Sequence, residues 1–275
     1  MTEEAGQPTG AAGGIAGLVR GLFSPLIRLL DELGRTASLA GQTLYWGIRP
    51  PYRGRLVIEA MEFIGVQSLF LVGLTALFIG LVFGLQLVDG FRQFGAENQT
   101  GGVVGMALAR ELAPVFTALM ISSRAGSAIS TELGSMRVSD QIDALTSMAV
   151  NPVQYLVVPR VIAGTLMGPA LTIVFGGVGM VGAYLVCVGM LGLDPGIFLD
   201  KVSWFVDARD IAQGLFKALV FGIVISLIAC RQGFHAEGGA AGVGRATNRA
   251  VVQGAVAILA FDYLITSMLT GTGAP

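Results

Sequence analysis

The stretch that decides the fold is IGVQSLFLVGLTALFIGLVFGLQLV at residues 64–88, which carries no charged side chain. A transmembrane helix needs about 20 mostly apolar residues, because it rises about 1.5 Å per residue through roughly 30 Å of hydrocarbon. Across the whole chain 13% of residues are charged and 53% are hydrophobic, whereas a typical soluble domain has about 25% charged residues. The sequence therefore predicts an integral membrane protein.

Four further apolar stretches follow, so the fold class predicted is all-α with five transmembrane helices. Their approximate bounds are 64–88, 101–123, 161–191, 211–230 and 250–269. Leucines at helical spacing, interrupted by charges, predict an amphipathic membrane-surface helix at 15–34, followed by a linker to residue 55. The small and polar residues 1–14 predict a disordered tail, and residues 56–271 make up the predicted transmembrane domain.

Basic residues are distributed unevenly around these spans. Of the 17 lysines and arginines, twelve lie before the first span, between spans two and three, or between spans four and five. The opposite loops hold only Arg92, Lys201 and Arg209. The positive-inside rule therefore predicts a cytoplasmic N-terminus and a C-terminus on the other side. The net charge of −1, with no dominant basic face, argues against a nucleic-acid partner.

Four ionisable residues fall inside the predicted spans: Arg110, Glu111, Lys217 and Asp262. Insertion of each charged side chain at mid-bilayer costs about 2.5–3.5 kcal/mol. Neighbouring helix positions point about 100° apart, so Arg110 and Glu111 need partners on other helices or on a ligand. Pro114 predicts a kink here, because its ring clashes with the carbonyl of Arg110. Two interpretations remain open: a structural ion-pair network, or the lining of a pathway or pocket.

The segment 123–152 between spans two and three has an apolar stripe with charged residues elsewhere, which predicts an amphipathic helix at about 132–150. Pro152 ends it, because the residue before a proline disfavours helix. Such a helix rests on the bilayer or docks into a partner's groove. Its charged residues are Glu132, Arg137, Asp140 and Asp143.

The sequence GGAAGVGRAT at 238–247 narrowly misses a nucleotide-binding loop. Arg245 stands where the phosphate-binding lysine belongs, and Ala246 where a metal-binding hydroxyl belongs. We expect a flexible loop before the fifth span. The sequence predicts no catalytic residues, no metal site and no cofactor in this chain, so the protein is expected not to be an enzyme itself.

Three separated motifs resemble the signature regions of the MlaE/YrbE family of ABC-transporter permeases. They are RELAPVFTALMISSRAGSAISTELGSMRVSDQIDALTSMAVNPVQYLVVPR (110–160), GVGRATNRAVV (242–252) and LAFDYLITSML (259–269). The resemblance runs from about residue 55 to the end of the chain. It implies the MlaE-type permease fold, in which five spans follow a membrane-surface helix.

The resemblance also implies a function and partners. Such a permease works as a homodimer in the bacterial inner membrane, with a cytoplasmic ABC ATPase that binds ATP and magnesium and with a periplasmic MCE-domain protein. A STAS-domain protein accompanies some members. The cargo implied is phospholipid moving between the inner and outer membranes, which bears on outer-membrane lipid asymmetry.

The resemblance assigns roles to residues as well. It implies that the helix at about 132–150 couples to the ATPase, with Glu132, Arg137, Asp140 and Asp143 as contacts. It implies that Arg110, Glu111 and Lys217 line the lipid cavity, and Asp262 at similar depth completes the candidate substrate-binding set. Two other functions remain open: an ion-coupled carrier with Lys217 and Asp262 as a proton relay, and a membrane scaffold that transports nothing.

Overall fold

The computed structural model describes residues 32, 34–50 and 53–271. The tail predicted at 1–14 and nearly all of the surface helix predicted at 15–34 lie outside this part of the chain. Every regular element in the described residues is helical. Five of the helical segments there are long and apolar enough to cross a membrane, which confirms the predicted fold class.

The five spans are Gly54–Arg92, Glu97–Val138, Val153–Met190, Ala208–Phe234 and Gly239–Leu269. Short 3-10 or π-helical turns divide the first two spans into separate α-helices, and π-helical turns flank the single α-helix of the third span. The α-helices in chain order are α1 (34–47), α2 (Gly54–Ile64), α3 (Leu69–Arg92), α4 (Thr100–Ala107), α5 (Ala113–Ile121), α6 (Ser127–Val138), α7 (Gln141–Ser147), α8 (Val158–Tyr184), α9 (Pro195–Phe205), α10 (Ala208–Phe234) and α11 (Gly239–Gly271).

The spans are longer than their apolar stretches. The second has 42 residues, which at about 1.5 Å per residue gives about 63 Å, roughly twice the hydrocarbon thickness. Its last helix, α6, therefore projects past the bilayer. We call the end of the bundle formed by α1, α2, α6 and α7 the arginine-rich end, and the end that carries α9 the opposite end.

Glycines let the spans approach one another closely. A Cβ atom on Gly80 would lie 1.9 Å from the carbonyl oxygen of Gly179, which places α3 against α8. A Cβ atom on Gly222 would lie 2.2 Å from the carbonyl oxygen of Gly164, which places α10 against α8. Because only glycine tolerates such contacts, the third span serves as the common packing partner of the first and the fourth.

Helix α1 lies across the arginine-rich end, within residues that the sequence assigned to a linker. Arg231 of the fourth span donates a hydrogen bond of 3.0 Å to the carbonyl oxygen of Glu32. Near the other end of α1, Gln154 donates a hydrogen bond of 3.0 Å to the carbonyl oxygen of Arg49. The helix therefore bridges the third and fourth spans.

Two predictions for this end were wrong. The helix expected at about 132–150 is interrupted, because α6 ends at Val138 and Asp140 adopts a left-handed conformation with φ of 58° before α7 begins. The loop expected at 238–247 is almost wholly helical, since α11 begins at Gly239. The segment contains alanines, which favour helix, as well as glycines. Its glycine content is therefore not sufficient to predict a loop.

A helix that the sequence analysis left as a loop, α9, lies at the opposite end. Asp194 caps it by accepting a hydrogen bond of 2.9 Å from the backbone N–H of Ile197, and Pro195 occupies its first turn. Phe198 is buried against Gly101 at the start of the second span. The Asp-Pro pair is a helix-start signal that could have revealed α9.

Candidate functional site: an ionic cluster between three spans

The backbone of the second span is irregular where its two charged residues lie. Residues Leu108–Leu112 form a π-helical turn, and Pro114 follows in the first turn of α5. Proline has no N–H for the usual bond to Arg110, and its ring needs room next to that carbonyl group. The wider turn provides the room, so the structure has a π-helical turn at the place where Pro114 predicted a kink.

Lys217 of the fourth span lies at the centre of the site, with 2% of its side chain exposed. Its Nζ atom lies 2.5 Å from Glu111 Oε2, 2.9 Å from Asp262 Oδ1 and 2.7 Å from Thr266 Oγ1. Three acceptors match the three N–H donors of an ammonium group. The second, fourth and fifth spans therefore meet at one buried cation.

Arg110 has a partner of its own, Asp210 at the start of α10. Its Nε and Nη2 atoms lie 2.8 Å and 2.7 Å from Asp210 Oδ1. The other carboxylate oxygen of Asp210 accepts a hydrogen bond of 3.1 Å from the backbone N–H of Asp207 as part of a capping box. Asp210 is thus held from two sides, and it holds Arg110 in one orientation.

Sequence reasoning missed Asp210. It falls outside the fourth apolar stretch, where an acidic residue is usual at a helix start. The Asp207–Asp210 spacing is typical of a helix cap and does not indicate an arginine 100 positions away as a partner. Two kinds of partner were left open for Arg110 and Glu111, other helices or a ligand, and the structure shows partners on another helix for both.

A close backbone contact brings these residues together. A Cβ atom on Gly214 would lie 2.1 Å from the carbonyl oxygen of Ala109, so α10 packs directly on the π-helical turn. Gly214 lies between Asp210 and Lys217 on the same helix. The outer pair, Arg110–Asp210, and the inner trio of Lys217, Glu111 and Asp262 are therefore about 10 Å apart along α10.

We refer to these five charged residues as the ionic cluster. It is partly exposed, since 47% of the Arg110 side chain and 41% of the Glu111 side chain are exposed, against 3% for Asp210. Asp262 is intermediate at 22%. The cluster can hold a polar group against Arg110 and Glu111, while Asp210 and Lys217 fix their positions from behind.

The four residues predicted to contact an ATPase lie away from the ionic cluster, and three of them form internal pairs. Glu132 is 2.8 Å from Arg160 Nη2, which links α6 to α8. Arg137 Nη1 is 2.7 Å from Asp143 Oδ1, which links α6 to α7 across the turn at Asp140. These contacts give the segment after the second span a defined shape.

A cavity of about 380 Å³ lies at the arginine-rich end between α2, α6 and the start of α8. Its wall includes Phe63, Ile129 and Leu156, together with the charged residues Glu132 and Arg160. Glu132 lies 21 residues after Glu111, or about 30 Å along the span. This cavity is therefore separate from the ionic cluster.

The five-span helical bundle with ion-paired residues at membrane depth defines the chain as a multi-pass membrane protein. A sequence model of the family described as permease MlaE matches residues 57–268. The chain belongs to the MlaE permease family.

Curated relatives match most of the chain. A probable ABC transporter permease protein of Synechocystis is 41% identical over 92% of this chain and 97% of its own length. A probable ABC transporter permease protein of Rickettsia bellii is 40% identical over 88% of this chain and 93% of its own length. The intermembrane phospholipid transport system permease protein MlaE of Haemophilus influenzae is 36% identical over 94% of this chain and 100% of its own length.

Proposed function

We propose that this chain is the membrane-spanning permease subunit of an ATP-driven transporter that moves phospholipid between the inner membrane and a periplasmic MCE-domain carrier. The observation that carries the proposal is the ionic cluster, in which a buried Asp210 holds a half-exposed Arg110 at membrane depth. The printed name of the Haemophilus influenzae relative supports the same substrate class.

Arg110 is suited to a phospholipid because a guanidinium group matches the geometry of a phosphate. Asp210 occupies one edge of the guanidinium group and leaves the rest available on the exposed side. The apolar surfaces of the spans hold the acyl chains, and Glu111 balances the cations when no lipid is bound. Placing charged groups at this depth costs free energy, which supports a functional reason for their presence.

Energy comes from a partner chain, since the residues around Arg245 lack the groups that hold ATP and magnesium. We propose a homodimer with a cytoplasmic ABC ATPase, and with a STAS-domain protein in some assemblies. The protein lies in the bacterial inner membrane with its N-terminus in the cytoplasm and its C-terminus in the periplasm. The uneven distribution of arginines supports this orientation.

The ATPase docks on α6 and α7 through Glu132, Arg137, Asp140 and Asp143. Asp140 lies at the tip of the turn between the two helices, which supports a role as a contact point. Reversal of charge at Arg137 and Asp140 is expected to reduce ATPase co-purification. Unchanged co-purification of the ATPase would reject this docking surface.

The test of the main proposal measures transfer of labelled phospholipid by the reconstituted complex. Arg110→Ala is expected to reduce transfer at least tenfold, because the headgroup loses its charge-assisted contacts. Arg209→Ala removes an exposed arginine close to Asp210 and serves as the matched control with normal transfer. Normal transfer by Arg110→Ala and by Glu111→Ala would show that the cluster does not bind lipid.

A double variant separates binding from folding. Arg110→Ala leaves Asp210 buried without its cation, which lowers stability, whereas Arg110→Ala with Asp210→Ala removes both charges. We expect the double variant to recover part of the thermal stability and none of the lipid transfer. Recovery of transfer together with stability would reduce Arg110 to a structural role.

Two contacts of Lys217 favour a second candidate function. Lys217 lies between two carboxylates, those of Glu111 and Asp262, which suits a proton relay in an ion-coupled carrier. That function predicts uptake that follows a proton gradient and is independent of ATP. Lipid transfer that requires ATP and does not depend on the proton gradient would exclude the ion-coupled carrier.

A further inference from the structure

The charges of the ionic cluster do not balance. Its two cations, Arg110 and Lys217, contact three carboxylates, those of Glu111, Asp210 and Asp262. With all five groups ionised, the cluster has one excess negative charge. Such a charge is costly at membrane depth unless a cation or a proton compensates it.

The excess charge lies on the inner carboxylates. Asp210 uses one oxygen for Arg110 and the other for the backbone N–H of Asp207. Lys217 has no further N–H to offer, because its three donors already have acceptors. The compensating group must therefore come from outside these five residues.

Glu111 is the carboxylate best placed to receive it. Its Oε2 atom binds Lys217, whereas its Oε1 atom takes only a long hydrogen bond of 3.4 Å from Thr266. Asp262 is less accessible, with 22% of its side chain exposed against 41% for Glu111. An entering cation therefore meets a carboxylate oxygen of Glu111 first.

We propose that the cluster selects phospholipids whose headgroup carries an amine over those whose headgroup is neutral. This rests on the proposed function, in which the lipid phosphate lies against Arg110. Arg110 and Glu111 are consecutive residues of the second span and both are about half exposed. Two carbons join the phosphate to the amine of an ethanolamine headgroup, so the proposal places the phosphate against Arg110 and the amine against Glu111. A zwitterionic ethanolamine headgroup keeps the net charge of the site at −1. A glycerol headgroup leaves the carboxylate without a cation and adds the charge of its phosphate, which makes the net charge −2.

The experiment uses the full-length protein with its co-purifying partners in a bilayer of phosphatidylethanolamine and phosphatidylglycerol. The two lipids have identical acyl chains and are present in equal amounts, and mass spectrometry quantifies the lipid that the purified complex retains. We expect about tenfold enrichment of phosphatidylethanolamine, the effect of one charge-assisted hydrogen bond.

Glu111→Gln should return the retained lipids to the proportions of the bilayer, because the variant removes the excess charge while Lys217 keeps Asp262. Asp200→Asn removes an exposed carboxylate on α9 and serves as the control that keeps the enrichment.

Two different results overturn the two ideas. Retention of both lipids in equal amounts by the unaltered protein, with loss of both in Arg110→Ala, rejects amine selection and leaves the proposed function standing. Lipid retention that Arg110→Ala leaves unchanged rejects the proposed function itself.

Discussion

The ionic cluster and the charged turn between α6 and α7 contain ion pairs of the same length in opposite surroundings. Arg110 lies 2.7 Å from Asp210, and Arg137 lies 2.7 Å from Asp143. In the first pair the carboxylate is buried, whereas 60% of the Asp143 side chain is exposed. Exposed pairs contribute about 0–1 kcal/mol, but loss of one partner from a buried pair costs about 3–5 kcal/mol. The two ion pairs therefore differ in the burial of their carboxylates and not in their N–O distance.

The largest effect is expected for Lys217→Met, which removes the buried cation and leaves Glu111 and Asp262 facing each other. We expect a loss of about 3–5 kcal/mol of stability, because two carboxylates then share a low-dielectric site. The measurement is denaturant unfolding of the protein in detergent micelles.

The matched control is Lys201→Met, at the only other lysine of the chain, which lies on α9 outside the cluster. It should change stability by less than about 0.5 kcal/mol. Equal effects of the two substitutions would contradict the assignment of Lys217 as the centre of the site.

An intermediate effect is expected for Gly214→Ala. The new Cβ atom would lie 2.1 Å from the Ala109 carbonyl oxygen, so α10 and the π-helical turn must move apart. Overpacking of this kind lowers stability by about 1–3 kcal/mol, and the displacement should also lower lipid transfer.

Gly177→Ala is the control, because Gly177 lies within a helix and open space surrounds it. Alanine at such a position raises stability by up to about 1 kcal/mol. A stable Gly214→Ala variant with normal transfer would show that the close contact does not position the cluster.

The smallest effect on stability is expected for Arg137→Ala at the charged turn. In the pair with Asp143, 40% of the Arg137 side chain and 60% of the Asp143 side chain are exposed. Solvent and salt therefore screen the pair, and the loss of stability should stay below about 1 kcal/mol. High salt should abolish even that loss. A loss as large as that of Lys217→Met would remove the distinction between the two regions.

Much of the membrane fold could be predicted from the sequence. Each span was located because a long, mostly apolar stretch is a property of consecutive residues. The ends of the spans were less well predicted, since α6 and the start of α11 continue as helix into polar sequence. Backbone hydrogen bonding continues a helix after its hydrophobicity has ended.

The candidate site was predicted in part. Arg110, Glu111, Lys217 and Asp262 stood out because ionisable residues are rare in apolar stretches, and the structure brings all four together with Asp210. Asp210 was missed because its role depends on a partner in another helix. Their part in lipid binding stays a prediction.

The sequence by itself determined that this chain is a five-span helical membrane protein with charges at membrane depth, because hydrophobicity and charge are properties of each residue. Only the tertiary structure decided which charges meet. Lys217 and Glu111 are 106 positions apart, and their contact depends on how closely Gly214 lets α10 approach the second span. That approach is set by packing between helices, which no local stretch of sequence contains.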